Sequence, residues 1–286
     1  MVWRKQTLSK AVKAMIYFPN AKLNLGLNIV SKRPDGYHNL ETIFYPIPIE
    51  DALEVSPTKQ FAFKQAGISI DGDVEKNLVV RALRAFETRV HVPPLEVNLL
   101  KAIPFGAGLG GGSADAAFML RLLNDYLEAG LSSDVLEELA GTIGADCPFF
   151  IQNKPVFATG IGNVFHPLDS FSLAGYHLCL VKPPVAVSTA EAYAMVKPST
   201  PAMPLTAIIQ KPIETWRKWM VNDFEKSVFP QHPLIEEVKQ KLYDAGALYA
   251  SMSGSGSSVY GIFKEQTALK AAFPKDFFVW EGALER

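Results

Sequence analysis

Three short segments combine residue types that chemistry needs. Residues 106 to 113 read Gly106, Ala107, Gly108, Leu109, Gly110, Gly111, Gly112, Ser113, five glycines in seven positions ahead of an alanine-rich helical pattern. Backbone N–H groups laid bare at a helix start, with the partial positive charge of the helix dipole behind them, bind anions, and glycine lets a phosphate touch the chain. In the second segment, "GADCPFF", Asp146 stands between a Gly-Ala turn and a proline, where its carboxylate can face a cleft as a general base. An Asx-turn or a helix-end cap accounts for Asp146 equally well. In the third, "AKLNLGLNIV", Lys22 and Asn24 project from the same side of a strand, two residues apart, within reach of a common ligand. The pattern alone favours a plain solvated sheet face there.

Two better-known phosphate loops compete for residues 106 to 113. The GxxxxGK[ST] loop needs a lysine that is missing, because Ser113 lies between Gly112 and Ala114. Gly106, Gly108 and Gly111 do satisfy G-x-G-x-x-G, but a dinucleotide fold places that motif in an early βαβ unit with an acid beyond the next strand. Here it begins past residue 100 and a second helix follows directly. The small-residue run "SMSGSGSSV" at 251 to 259 reads first as a hairpin turn, and otherwise as a second loop packed near the first. Cys147 has no histidine near it in sequence and reads as a buried thiol, and the five histidines have no ligand spacing, so no structural metal is expected.

Periodicity gives the elements that must position these residues. Ala21, Leu23, Leu25, Leu27 and Ile29 alternate with polar or small residues, which predicts a strand. Asp35-Gly36 marks a tight turn, leaving Tyr37 and His38 at its exit before a strand-like run at 40 to 49. Further strand-like pieces lie at 52 to 57 and 94 to 104, with a core-facing helix at 76 to 90 between them. Ser113 is the expected N-cap of a helix whose face is Ala116, Leu120, Leu123 and Leu127, with Gly130 as its stop. A shorter helix follows at 132 to 144, and 145 to 153 is expected to turn out of it into extended chain. Gly160, Gly162 and Pro167 mark a boundary that divides the chain into 15 to 165 and 166 to 286. The second part reads as a strand (176 to 184), a helix (188 to 196), a proline-rich loop, a helix (232 to 246) and two strand-like runs about the Ser/Gly turn.

The 286 residues, 48% of them hydrophobic, suffice for one large domain or two ordinary ones. A balance of 28 basic against 29 acidic residues gives no electrostatic case for nucleic acid or an acidic membrane, which leaves a small molecule as the default partner. Two cysteines are too few for a disulfide framework and fit a reducing, cytoplasmic setting. No apolar run approaches the roughly eighteen residues of a membrane helix. Residues 1 to 14 carry four basic residues and no acid, and read as an N-terminal extension without assigned function. Oligomeric state is left open.

Taken together, the segments resemble the GHMP kinases, a family named for galactose, homoserine, mevalonate and phosphomevalonate. "PFGAGLGGGSADAA" resembles their phosphate-loop motif, "ASMSGSGSSVYGIF" their C-terminal glycine motif and "NAKLNLGLNI" their first strand. Within the family, "NAKLNLGL", "RPDGYHNLETIF", "KNLVVRA", "GAGLGGGSADAA" and "IGADCPFF", in that order, are similar to the branch that acts on a cytidine-diphosphate-linked methylerythritol in the non-mevalonate route to isoprenoid precursors.

The resemblance implies an α+β, two-domain fold: an N-terminal domain like domain 2 of ribosomal protein S5 and a ferredoxin-like C-terminal domain, with the site between them. It implies ATP-dependent phosphorylation of the substrate's C2 hydroxyl, with Asp146 as general base and Lys22 beside it. Gly106 to Ser113 would cradle the ATP phosphates, and Asn77, Leu78 and Lys101 would lie at the adenosine end. Tyr37, His38 and Tyr193 would enclose the cytosine, Asn24 and Thr189 would contact the methylerythritol, and Gly254 and Gly256 would support the site. Mg2+ would arrive with ATP. No motif places the glutamate by which some relatives hold Mg2+, so no protein ligand is assigned beyond a contribution from Ser113. Three other readings remain: a homoserine or mevalonate type of GHMP kinase, for which "PDGYH" has no use; a non-catalytic member that binds ligand, against which Lys22 and Asp146 speak; and a nicotinamide-dependent oxidoreductase resting on G-x-G-x-x-G alone.

Overall fold

Residues 14–69 and 72–285 are described by a computed structural model of the chain, so the extension read at 1 to 14 lies, apart from Ala14, outside the described residues. The first half runs β1 (Met15–Tyr17), β2 (Asn20–Lys32), β3 (His38–Glu50), β4 (Ala52–Pro57), β5 (Ala62–Gly67), α1 (Leu78–Glu87), β6 (Leu95–Lys101), α2 (Gly111–Tyr126), α3 (Ser133–Ile143), α4 (Phe149–Gln152), β7 (Val156–Thr159) and β8 (Val164–Pro167). The second half adds β9 (His177–Lys182), α5 (Thr189–Tyr193), α6 (Leu205–Ile208), α7 (Glu225–Gln231), α8 (Pro233–Asp244), β10 (Tyr249–Met252), β11 (Val259–Phe263) and β12 (Phe278–Ala283).

These strands form three four-stranded sheets, ordered β1-β4-β6-β5, β2-β3-β7-β8 and β10-β11-β9-β12. The third is antiparallel throughout, with helices on the connection from β9 to β10, which is the ferredoxin-like arrangement. Its second connection, from β11 to β12, is reduced to one 3-10 turn at Lys270–Ala272. The sheet β2-β3-β7-β8 is covered on both sides. Phe44, Val156 and Ala158 join the core under α1, α2 and α3, while Leu23, Leu25, Ile43 and Tyr45 pack with Leu178, Leu180, Tyr260 and Ile262 of the third sheet. A core shared by both halves therefore fixes how they meet. The strand β8 crosses the expected boundary at 165 and pairs with β7, so the change of sheet falls between Pro167 and His177.

Four local expectations are corrected. The period-two reading of β2 breaks at Gly26, a bulge where the register passes from Leu25↔Ile43 to Leu27↔Thr42. Gly26 has φ +68, and a Cβ there would stand 2.6 Å from Leu205 Cδ2. Nor is either face of β2 solvated: Lys22 and Asn24 are each only 3% exposed, because the glycine loop and the second half of the chain cover them. Ser113 is not the N-cap of α2. Gly110, left-handed at φ +71, starts the helix, its carbonyl accepts the first bond from the Ala114 N–H at 2.9 Å, and Ser113 sits inside the first turn. Finally, 149 to 152 is a helical turn, α4, ended by left-handed Asn153, instead of extended chain.

Candidate active site

The N-terminal parts of β2 and α2 and the turn between α3 and α4 meet at Lys22. Its backbone N–H donates to the Leu109 carbonyl at 2.9 Å, so the strand and the glycine loop are hydrogen-bonded side by side. The Lys22 ammonium is 3.8 Å from Asp146 Oδ2, donates to Asn24 Oδ1 and to the Gly108 carbonyl at 3.4 Å, and lies over the Phe44 ring. Burial pushes this ammonium below the usual lysine range, and Asp146 pulls it partly back up. Asp146 keeps 37% of its side chain exposed, open to a reactant.

Asn24 is held at every polar atom. Its Nδ2 donates to Thr42 Oγ1 at 2.9 Å, and the Thr42 hydroxyl donates onward at 2.6 Å to the carbonyl of Gly26, the residue at the bulge. The backbone of Asn24 is tied to the second glycine motif: its N–H donates to Ser253 Oγ at 3.2 Å, and its carbonyl accepts from Tyr260 OH at 2.9 Å. Ser253 Oγ in turn donates to the Gly108 carbonyl at 2.9 Å. The hairpin reading of 251 to 259 and the second-loop reading are thus both correct: β10 and β11 pair as a hairpin, and the turn between them packs on residue 108.

The glycines divide by role. A Cβ on Gly108 would meet the Ser253 carbonyl oxygen at 1.9 Å, one on Gly110 would meet Phe150 and Lys22, and one on Gly111 would meet Ile103. At Gly106 nothing lies within 4 Å, and at Gly112 only Leu78 Cδ1 does. Protein fills the space beside the first three, a flexible side-chain end lies close to Gly112, and open space remains beside Gly106.

Two cavities adjoin along Gly108 and Gly110. One, of about 270 Å3, is lined by Lys22, Asn24, Asp146, Thr189 and Tyr193 among the expected residues, with Thr42, Phe44 and Phe224 that sequence reading missed. The other, of about 200 Å3, is lined by all eight residues from Gly106 to Ser113 with Leu78 and Lys101. Asn77 lies outside both. It caps α1, accepting from the Val79 N–H at 2.9 Å, and borders a recess of about 460 Å3 shared with Phe63 and Gly67. Lys101 is turned inward: its buried ammonium is paired with Asp51 and, at 2.7 Å, with Asp115. Tyr37 and His38 line neither cavity. His38 instead stacks on Tyr193 at 4.9 Å between ring centroids, and Tyr37 is 63% exposed at the hairpin tip. A larger recess, about 560 Å3 between Arg217, Glu225 and Tyr243, holds none of the motif residues, and its Glu225–Lys239 charges are already paired. Cys147 is buried, and burial pushes its thiol up to about 11, as expected of an inert side chain.

Comparison with known proteins places the chain in a family. The family description "GHMP kinases N terminal domain" matches residues 77–154, and "GHMP kinases C terminal" matches residues 205–275. The chain is 63% identical over 271 residues to the 4-diphosphocytidyl-2-C-methyl-D-erythritol kinase of Parabacteroides distasonis, covering 94% of this chain and 100% of the relative. It is 57% identical to the kinase of the same name from Bacteroides fragilis, covering 92% and 97%. A crystal structure of 4-(cytidine 5'-diphospho)-2C-methyl-D-erythritol kinase superposes with a TM-score of 0.74 at 32% identity, over 87% of this chain and 90% of that one. A mevalonate kinase structure, at 15% identity and a TM-score of 0.63, shares the fold. The chain therefore belongs to the GHMP kinases and is an ATP-dependent kinase. Within that family it groups with the 4-diphosphocytidyl-2-C-methyl-D-erythritol kinases.

Proposed function

We propose that this chain transfers the γ-phosphoryl group of ATP to the C2 hydroxyl of 4-diphosphocytidyl-2-C-methyl-D-erythritol, giving the 2-phosphate and ADP in the non-mevalonate route to isoprenoid precursors. The observation that carries the reading is the position of Lys22 and Asp146 at the seam between the phosphate-loop cavity and the cavity lined by Asn24, Thr189 and Tyr193. An acceptor hydroxyl held beside Asn24 and Asp146 would face the end of a triphosphate lying on residues 106 to 113.

Phosphoryl transfer has a loose transition state that demands little early deprotonation. Asp146 accepts the hydroxyl proton late, and the Lys22 ammonium and the N–H groups at the start of α2 offset charge on the transferring group. The buried surroundings of Lys22 strengthen that interaction relative to water. Thr42 fixes which way Asn24 presents its amide. Tyr193 offers an aromatic surface for the cytosine, with His38 stacked on its ring and Tyr37 next to His38 at the hairpin. Leu78 borders the loop where the adenosine end would leave it, Asn77 caps the helix that carries Leu78, and Lys101 supports the loop through Asp51 and Asp115.

Mg2+ would come with the nucleotide. No three His, Cys, Asp or Glu side chains converge among the described residues, and the donors beside the loop are the Asp146 carboxylate and the Ser113 hydroxyl. One or two oxygens of this kind suit Mg2+ that keeps phosphate and water ligands, where it neutralises phosphate charge. The buried, unpaired Cys147 and Cys179 fit a cytoplasmic setting, and no helix of the described residues is long and apolar enough to cross a membrane.

The test is ADP release from MgATP, with and without the cytidyl substrate, by the intact chain and by Asp146→Asn. Substrate-dependent turnover that the variant loses while still binding ATP is the expected result. Faster turnover of mevalonate or homoserine than of the cytidyl substrate would move the chain to another branch of the family.

A further inference from the structure

Helix α5 carries two of the residues read as substrate contacts, Thr189 and Tyr193, yet it has only five residues and buries only Ala192. A helix of one and a half turns has no stability of its own in water. Its placement depends on what holds it to the rest of the molecule, and those ties are few. Ser188 and Glu191 close a capping box on its first turn, with the Glu191 N–H donating to Ser188 Oγ at 3.1 Å. The Tyr193 ring packs edge-on against Phe224 at 4.7 Å, and the Met195 N–H donates to Ser227 Oγ at 3.3 Å. The Tyr193 ring also stacks on His38 of β3 at 4.9 Å between centroids, and a further tie is polar. Glu191 Oε1 lies 2.7 Å from His232 Nε2, and His232 sits at the junction of α7 and α8.

Glu191 thus serves two purposes with one carboxylate, closing the capping box through Oε2 and reaching His232 through Oε1. The backbone of His232 is itself tied down, its main-chain N–H donating to the Val228 carbonyl at 2.8 Å. The pair lies away from the reacting atoms: neither residue lines the cavity that Thr189 and Tyr193 face.

We propose that His232 and Glu191 are positioning residues for substrate recognition, holding α5 so that Thr189 and Tyr193 face the acceptor's cavity. This rests on the reading of that cavity as the cytidyl substrate's site. If the pair is broken, α5 spends part of its time displaced, and apparent affinity falls by the fraction of time it is in place. The phosphate loop makes no contact with the pair, so ATP binding is untouched.

The experiment compares the intact chain with His232→Ala, His232→Gln and Glu191→Gln in steady-state kinetics, varying the cytidyl substrate and MgATP separately, alongside amide hydrogen exchange across 189 to 195. His232→Ala is expected to raise KM for the cytidyl substrate about tenfold, with KM for ATP within about twofold, and to speed exchange of the Ala192 and Ala194 amides. His232→Gln, which keeps a donor, recovers most of the loss. An unchanged substrate KM, or an equal rise in KM for ATP, overturns the proposal. Should His232→Ala fail to fold, Glu191→Gln carries the same comparison. Should the intact chain not use the cytidyl substrate, the reading of the site fails; faster exchange in α5 alone then keeps the anchoring role, and unchanged exchange removes it.

Discussion

The carbonyl oxygen of Ser253 lies 1.9 Å from the point where a Cβ on Gly108 would stand, and a Cβ on Gly254 would come within 3.2 Å of the Gly108 Cα. The two glycine motifs, 145 residues apart at Gly108 and Ser253, interlock backbone against backbone. Gly108→Ala therefore meets two penalties that no side-chain rotation relieves, a φ of +74 and a clash with a carbonyl. We expect it to lose about 2 kcal/mol or more of stability and to abolish ATP binding, as measured by thermal melting and by titration with a non-hydrolysable ATP analogue. Gly112→Ala meets only the end of the flexible Leu78 side chain at 3.3 Å and should stay folded, with its loss confined to ATP affinity. ATP binding of ordinary strength by Gly108→Ala would show that the interlock is dispensable.

Lys22 and Asp146 have separable effects. Asp146→Asn removes the proton acceptor and should lower kcat by about 10²-fold, the low end for general bases because the proton leaves late. Lys22→Met removes the cation and should lower kcat by about 10²- to 10³-fold. The signs of the pH profile follow from burial. Because the Lys22 ammonium is pushed below its usual range, the alkaline limb of kcat/KM, which reports the free enzyme, should fall below the ordinary lysine value. Asp146 favours the charged form of Lys22, so in Asp146→Asn the limb should move lower still. A limb that stays in place in that variant would mean that another group titrates.

How much of this was legible follows from where each signal lies. Local spacing marks the glycine loop as an anion site, whereas Asp146 reads equally well as a turn or cap and the Lys22–Asn24 pair reads first as a solvated face, so both take their roles from the family resemblance. Local pattern also gave α1, α3, α8 and the β10–β11 hairpin. It misled at Ser113, since a capping side chain and a left-handed glycine both start helices and only the backbone decides between them. It misled at β2 because alternation looks the same on a solvated face and on one later covered by the rest of the chain. Thr42, Phe44 and Phe224 carry no local mark; each matters through a partner 16 or more residues away. Lys101 was drawn to the site by its place in the motif, but its charge is spent on Asp51 and Asp115.

Thr42 tests the importance of the bulge. Thr42→Val keeps the shape but removes the hydroxyl that accepts from Asn24 Nδ2 and donates to the Gly26 carbonyl, leaving a buried donor and a buried acceptor unpaired. A loss of about 1–3 kcal/mol in stability is expected, together with a higher KM for the cytidyl substrate as Asn24 loses its fixed orientation. KM for ATP should be unchanged. Stability lost without any change in substrate KM would confine Thr42 to holding the fold.

The buried cluster under the phosphate loop gives the last prediction. Asp51 accepts from the Ala102 and Ile103 N–H groups at 2.6 and 2.9 Å and pairs with Lys101, which also reaches Asp115 in α2, so a single ammonium ties the strand entering the glycine loop to the helix leaving it. Two carboxylates share that one cation, and Asp115 Oδ1 has no partner. Burial pushes the Asp115 carboxyl up to about 7, with Lys101 pulling it down and Asp51 pushing it further up. In the unfolded chain the same group titrates near 4. Between about pH 4 and pH 7 the folded chain therefore holds a proton that the unfolded chain has released, so the stability this group contributes is full below pH 4 and is lost as pH rises through 7. Asp115→Asn keeps the shape and cannot titrate. Its melting temperature relative to the intact chain should rise from pH 5 to pH 8, whatever the offset at either end. A difference that stays constant across that range would mean that Asp115 remains charged beside Lys101, and that the ammonium alone satisfies both carboxylates.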